Sequence, residues 1–448
     1  MTIDPERFEP LLAELVAMDR WGRADLVLHQ IRRTERMLRH AVEVSPHYRE
    51  TLGPAVAGGA TLADLPALTK RTLMDEWDRI VTEPRLTLRD VEEHLASDRA
   101  AEPVLGEYRA CATGGTTGER AVVVYNAAGW VQIVANVVRL LRTAGAPPGA
   151  RVVGIGAPTP LHLTNRVFKD LGGPSDAPRL SVLTPVPEIV AALNAYQPEV
   201  LIVYPSSLRR LVEEHEAGRL RIRPGRILST AEVLTPDLRT AATAAWQAPV
   251  QSAYGTTEGA VLGIECDRMA GVHLADDMVV LEAVDDEDRP VPPGTPSAKI
   301  LLTTLFDSPL PLIRYEISDV VTIADEPCGC GRPSTVVSSV DGRREDRLEL
   351  RTRNGEVVRL HAGRLRGPLL AVPGLRQFQV VQRSTDDLLA RVSVRPGTDT
   401  DAVAATVRAL LVDALDANAI ELASLDVEIA DEIARSGTGA KERLVGVA

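Results

Sequence analysis

At 448 residues the chain exceeds the length, roughly 250–300 residues, at which a single hydrophobic core stops growing, so two or more domains are expected. Hydrophobic residues at 45% and charged residues at 25% are the composition of a globular protein, and aromatics at 3% leave the cores to aliphatic side chains and Ala. A net charge of -12 argues against non-specific binding to nucleic acid or to an anionic membrane, although it leaves room for a phosphate site built from local backbone N–H groups.

The opening segment MTIDPERFEPLLAEL carries early acids and lacks the basic start and apolar run of a signal peptide. No apolar stretch approaches about 18 residues, so no transmembrane helix is expected. The four cysteines, Cys111, Cys266, Cys328 and Cys330, are too few for a disulfide scaffold, and a reducing cytoplasmic location is expected.

Residues 1–50 read as helical, with Leu11, Leu12, Leu15 and Val16 on one face and Leu26, Val27, Ile31, Met37 and Leu38 continuing in later turns. LADLPALTK, Leu62 to Lys70, reads as a connector broken by Pro, and 91–110 as polar, Gly- and Pro-punctuated chain. From residue 121 short apolar runs alternate with helical stretches. AVVVY, ARVVGIG, SVLTPV, EVLIVY and GRILST are expected strands, and WVQIVANVVRLLRTAG and PSSLRRLVEEHEAG are expected helices. This alternation predicts an α/β fold with a mostly parallel sheet. MVVLEAV, AKILLTTL and DVVTIA then mark a β-rich subdomain. Beyond Asp341-Gly342 the order strand, strand, helix, strand predicts a small α+β domain. The expected division is 1–341 and 342–448.

Five motifs carry candidate chemistry. TGGTTGER, Thr113 to Arg120, is a Gly/Thr turn suited to phosphate, because Gly lets backbone approach closely and Thr hydroxyls donate; it lacks the Walker spacing. SAYGTTEG, Ser252 to Gly259, offers a Tyr for a purine face and two Thr and a Glu for a phosphate and its Mg²⁺. PLIRYEISD, Pro311 to Asp319, and DGRRED, Asp341 to Asp346, supply an Asp able to accept two ribose hydroxyls and an Arg to support it. GAKER, Gly439 to Arg443, sets a Lys in a Gly-containing tail. Taken singly, each reads as well or better as an ordinary turn, a strand ending in a polar loop, a surface ion pair or a solvated charge.

In their order and spacing the five resemble the core motifs of the acyl-adenylate-forming superfamily, and most nearly its phenylacetate–CoA ligase-like branch. The resemblance runs from SPHYR at Ser45 to the tail. LPALTKRTL, STAEVL at Ser229, TTLFDSPLPLIRY at Thr303, CGCGRP at Cys328 and RQFQVVQ at Arg376 add to it. The resemblance implies an ATP-dependent, AMP-forming acid–thiol ligase. Thr113, Gly114, Gly115, Thr116, Thr117 and Gly118 would form the phosphate loop. Thr230, Ala231 and Glu232 would frame the adenine above Tyr254, within the stretch Ala253, Tyr254, Gly255 and Thr256. Thr257 would meet the α-phosphate, Glu258 the Mg²⁺, and Asp319 the ribose, helped by Arg343. Glu345 falls at the hinge about which the small domain rotates, and Lys441 at the mobile catalytic lysine. A Lys and a Mg²⁺ at the α-phosphate would stabilise the charge that builds there as a carboxylate displaces pyrophosphate. Tyr125 would pack against the acid's ring, with Trp130 a turn later on the same helix; both read equally as core aromatics. Three departures stand out: Glu119 before Arg120 in the phosphate loop, Glu345 in place of Asp, and Ala440 before Lys441.

Cys266, His273, Cys328 and Cys330 make Cys-x6-His … Cys-x-Cys, a donor set suited to a structural tetrahedral Zn²⁺. The alternative is two buried thiols, a surface His and a Cys-x-Cys turn. The expected partners are ATP, Mg²⁺, a small aromatic carboxylic acid, and CoA or a carrier-protein thiol. An amine acceptor, giving an amide synthetase, and a non-catalytic relative are the alternatives. Oligomeric state is open, a homodimer included.

Overall fold

The computed structural model describes residues 5–113, 120–171, 177–344, 347–361, 365, 369, 372–395, 397–430, 433 and 445–447. The chain divides into two compact units, one of Met1–Ile317 with Val321–Val340, the other of Ser318–Val320 with Asp341–Ala448.

The first unit opens with helices Pro5–Met18, Arg23–Val44 and Pro46–Thr51. Leu12 and Leu15 are buried as their spacing predicts, but Ile31 is 49% exposed and Thr34 takes the inward position instead. The SPHYR motif is a helix start: Ser45 Oγ accepts from Tyr48 N, Pro46 sits where a helix needs no N–H, and the buried Tyr48 hydroxyl donates to Pro311 O at 2.8 Å. LPALTK is also explained. Leu68 N donates to Arg314 O at 3.0 Å and Glu316 N to Leu68 O at 2.9 Å, so this connector runs as a parallel partner of the PLIRYE motif. Arg314, at φ 48°, turns its guanidinium onto Leu65 O and Glu282.

The large sheet has nine strands among the described residues. Val250–Thr256, Arg226–Thr230, Val200–Val203, Val152–Gly156 and Leu180–Ser181 run parallel in that spatial order. Ala260–Glu265, Val272–Leu274 and Val336–Arg343 extend it antiparallel, followed by Asp319–Ile323 at the edge. Val200–Val203 is buried throughout, as a continuous apolar run in a parallel sheet should be. The expected strand SVLTPV is only two residues long. Thr184 Oγ1 accepts from Ser181 N at 3.0 Å to form a turn, and a helix starts at Val186. Val279–Val284, Lys299–Thr304 and Tyr315–Ile317 form a separate antiparallel sheet.

Residues 91–110, which read as polar, Gly- and Pro-punctuated chain, include part of helix Leu88–Ala96, capped by Thr87 with Val91 and Leu95 inward. The expected helix after AVVVY spans Ala127–Thr143, capped by Asn126 Oδ1 on Gly129 N at 2.8 Å.

In the second unit, strands Leu375–Ser384 and Asp387–Val394 pair antiparallel, helix Thr400–Asp416 follows, and Ser424–Ile429 joins parallel to Asp387–Val394. This is the strand, strand, helix, strand order expected from sequence. A hairpin, Arg347–Arg351 with Val357–His361, precedes it, and Val445–Val447 adds a fourth strand to its sheet. Its own core gathers Leu348, Phe378, Val392, Val407 and Leu411. The α/β class with a β-rich part and a small α+β part therefore holds. No helix among the described residues is long and apolar enough to cross a membrane.

Candidate active site and metal cluster

Thr230 lies opposite Ala253 in the parallel register of Arg226–Thr230 and Val250–Thr256. Thr230, Ala231 and Glu232 thus stand beside Tyr254, Gly255 and Thr256 at the carboxyl ends of neighbouring strands, where open α/β sheets bind ligands. Ala231 is held at φ 68°, a left-handed conformation that costs a non-glycine residue about 1–2 kcal/mol and gathers at binding sites. The Glu232 carboxylate closes the start of helix Pro205–Glu216, accepting from Ser206 N at 2.9 Å and from the Ser206 hydroxyl at 3.1 Å. The expectation that Glu232 frames an adenine therefore rests on its main chain. Tyr254 is buried, and the register shifts between it and Gly255.

The following turn is closed by Gly259 N donating to Thr256 Oγ1 at 2.9 Å. Two tyrosine hydroxyls reach it. Tyr125 donates to Thr257 O, and Tyr315 donates to Glu258 Oε1 at 3.2 Å. Tyr125 ends strand Val122–Tyr125 rather than sharing a helix with Trp130. Its buried ring packs on Trp130 and Phe306 at centroid distances of 5.8 and 6.1 Å. Trp130 Nε1 donates to Asp170 Oδ2 at 2.7 Å, and Arg109 meets the same oxygen at 2.9 Å with its guanidinium 4.8 Å over the Trp130 ring. Sequence reading did not single out Tyr315, Arg109 or Asp170. Tyr315 sits within the PLIRYE motif, which is the one signal that pointed at it.

Thr113 N donates to Ala121 O and Ala121 N to Thr113 Oγ1, both at 2.9 Å, which pins the two ends of the expected phosphate loop. Gly114, Gly115, Thr116, Thr117, Gly118 and Glu119 lie outside the described residues, as do Glu345, Ala440 and Lys441. Asp319 belongs to the second unit, where Arg343 Nε stands 3.5 Å from Asp319 Oδ1. This pairs the two residues expected at a ribose.

The four expected metal ligands come together. Cys266 follows strand Ala260–Glu265, His273 sits in Val272–Leu274, and Cys328 and Cys330 occupy the turn before Val336–Arg343. Their ligand atoms all lie within 4.8 Å of one another, with Cys266 Sγ to Cys328 Sγ at 3.8 Å and Cys330 Sγ to His273 Nε2 at 3.5 Å. Two sulfurs on a tetrahedral zinc are about 3.8 Å apart, and a sulfur and an imidazole nitrogen about 3.5 Å, so these two separations match that site. Ser334 Oγ meets His273 Nδ1 at 2.9 Å, which turns Nε2 toward the sulfurs. Burial, with Arg332 nearby, lowers the imidazole to about 4 and so keeps it neutral. Two glycines make the geometry accessible. Gly331 turns the Cys-x-Cys segment at φ 81°, and a Cβ on Gly263 would stand 2.2 Å from His273 O.

No protein-family model matches the chain. Among curated proteins it is 27% identical over 377 residues to a phenylacetate–coenzyme A ligase of Thermus thermophilus, covering 79% of this chain and 77% of that one. It is 28% identical over 349 residues to the Escherichia coli K12 phenylacetate–coenzyme A ligase, covering 72% of each. The chain is thus similar, over more than two thirds of its length, to phenylacetate–coenzyme A ligases. A crystal structure of 2-hydroxyisobutyryl-CoA ligase in the postadenylation state with R3-HIB-AMP matches it at TM-score 0.70 and 17% identity, over 94% of this chain and 89% of that one. The two share a fold.

Proposed function

We propose that the chain is an ATP-dependent, AMP-forming ligase that activates a small carboxylic acid as acyl-AMP and transfers the acyl group to CoA. The observation that carries this reading is the strand edge at which Thr230 to Glu232 stand beside Tyr254 to Glu258. A strained turn at the carboxyl ends of parallel strands suits a nucleotide, and the curated proteins similar to this chain include phenylacetate–coenzyme A ligases.

In this reading ATP lies over Tyr254, with Thr257 at the α-phosphate. Glu258, a single carboxylate, fits Mg²⁺, which is commonly held by one or two carboxylates plus substrate phosphates. The ion would supply charge stabilisation at the phosphates. Asp319 accepts the ribose hydroxyls, supported by Arg343 3.5 Å away. Lys441 brings the positive charge needed as the carboxylate attacks phosphorus, and residues 342–448 move so that it serves adenylation and then withdraws. The four-ligand cluster binds a structural Zn²⁺, since four protein donors leave no open position.

Incubation with ATP, Mg²⁺, CoA and a panel of aryl and short aliphatic acids, followed by mass spectrometry, tests the assignment. An acyl-CoA with AMP is the expected product. An acyl-amide formed from added amines in place of the thioester would move the acceptor from CoA to an amine. Acid-independent nucleotide turnover, or none, would overturn the reading.

A further inference from the structure

Two tyrosines from separate elements converge on adjacent residues of one turn. Tyr125 donates to Thr257 O, and Tyr315 donates to Glu258 Oε1 at 3.2 Å. We infer that Tyr125 and Tyr315 are positioning residues that hold the turn from Thr256 to Gly259 so that Thr257 faces the α-phosphate and Glu258 meets the divalent cation. This inference rests on the function proposed above.

A buried phenol needs some hydrogen-bond partner, so satisfaction of two hydroxyls alone is one account of the convergence. The mounts and the targets argue for more. Tyr315 is fully buried on strand Tyr315–Ile317, opposite Leu302 on one side and bridged to Leu68 on the other. Tyr125 is 1% exposed, opposite Arg109 in its hairpin and packed on Trp130 and Phe306. Both hydroxyls therefore arrive on rigid supports. Their targets belong to a four-residue turn whose other internal tie is Gly259 N to Thr256 Oγ1. A Glu side chain has three rotatable bonds, and a loose one must surrender rotamer freedom when it binds a cation. A hydroxyl on Oε1 selects the rotamer beforehand, as partners of metal-ligating carboxylates do. The Tyr125 bond acts on the neighbouring main chain and sets where the Thr257 hydroxyl and N–H point. This gives Tyr125 a role distinct from contact with the acid's ring.

Tyr125→Phe and Tyr315→Phe each remove one hydroxyl and keep the ring. Mn²⁺ binding to the protein–ATP complex, followed by electron paramagnetic resonance, reads cation affinity without turnover. Tyr315→Phe should weaken it about tenfold or more, the range seen when a partner of a metal ligand is lost. In Tyr315→Phe/Glu258→Ala the loss should equal that of Glu258→Ala alone, which a general loss of packing would not produce. Tyr125→Phe should lower kcat for adenylation about tenfold with the KM for the acid unchanged. Each variant tests its own half, so a misfolded one leaves the other decisive. Mn²⁺ affinity of Tyr315→Phe within twofold of the parent, or a raised acid KM as the main effect of Tyr125→Phe, overturns the inference. A parent chain that shows no ATP-dependent Mn²⁺ binding overturns the proposed function itself, and this inference with it.

Discussion

His273 Nε2 stands 3.5 Å from Cys330 Sγ, the separation that a shared tetrahedral zinc imposes on a nitrogen and a sulfur, to within about 0.1 Å. Protein purified without added zinc should therefore carry about one equivalent per chain. Cys328→Ser with Cys330→Ser should reduce this to below about a tenth, because two of four donors are gone, and should lower the thermal midpoint. Elemental analysis and calorimetry check both. Zinc-free parent protein, or full retention by the double variant, contradicts the assignment.

A second relationship concerns stability alone. Arg139, 2% exposed, makes a two-pronged pair with Asp277, NH1 to Oδ2 at 2.9 Å and NH2 to Oδ1 at 3.0 Å, and also donates to Leu15 O at 3.2 Å. Removing Asp277 leaves the buried Arg139 with the more distant Asp19, 4.0 Å away, as a carboxylate partner, so Asp277→Ala should cost up to about 3–5 kcal/mol in urea unfolding of the first unit. Arg139→Met with Asp277→Leu should cost much less, since no lone charge remains.

Glu83 provides a pH-dependent test. Hydrogen bonds from Arg85 and then Tyr108 hold its carboxyl down at about 2, against an ordinary 4.5. A depressed carboxylate contributes stability that is full above the unfolded value and is lost as pH falls from about 4.5 toward about 2. The thermal midpoint of Glu83→Gln should therefore fall less steeply than the parent's across that window. Parallel curves would show that the Glu83–Arg85–Tyr108 contacts do not contribute.

Much of this was legible in the sequence, for identifiable reasons. The parallel strands announce themselves because continuous runs such as VLIV at Val200 have no other reading when flanked by turns. The metal donors were legible because Cys and His have few uses in a chain with four cysteines. Ser334, which orients His273, was not, because a hydroxyl in a turn carries no sequence signal. Helix Leu88–Ala96 was hidden because it buries only Val91 and Leu95 fully, with Leu88 half-buried against the core. Tyr125 was read both as the end of strand AVVVY and as sharing Trp130's helix; the strand reading holds, and the two blurred because the strand ends one residue before the helix cap. The pairing of LPALTK with PLIRYE joins segments far apart in the chain and became visible only in the fold.

Two substitutions separate nucleotide binding from chemistry. Asp319→Ala should raise the KM for ATP with little change in kcat, since ribose contacts are equal in ground and transition states. Lys441→Ala should slow acyl-adenylate formation by about 10²–10³ while sparing transfer from pre-formed acyl-AMP. Equal loss of both half-reactions in a folded Lys441→Ala chain contradicts its assigned role.

The central claim is reversible formation of an acyl-AMP, and acid-dependent exchange of labelled pyrophosphate into ATP measures it most directly. The account predicts exchange that requires Mg²⁺ and one class of small carboxylic acid, proceeds without CoA, and is lost in Glu258→Ala. Acid-dependent cleavage of ATP to ADP and phosphate, with no pyrophosphate exchange, would contradict it.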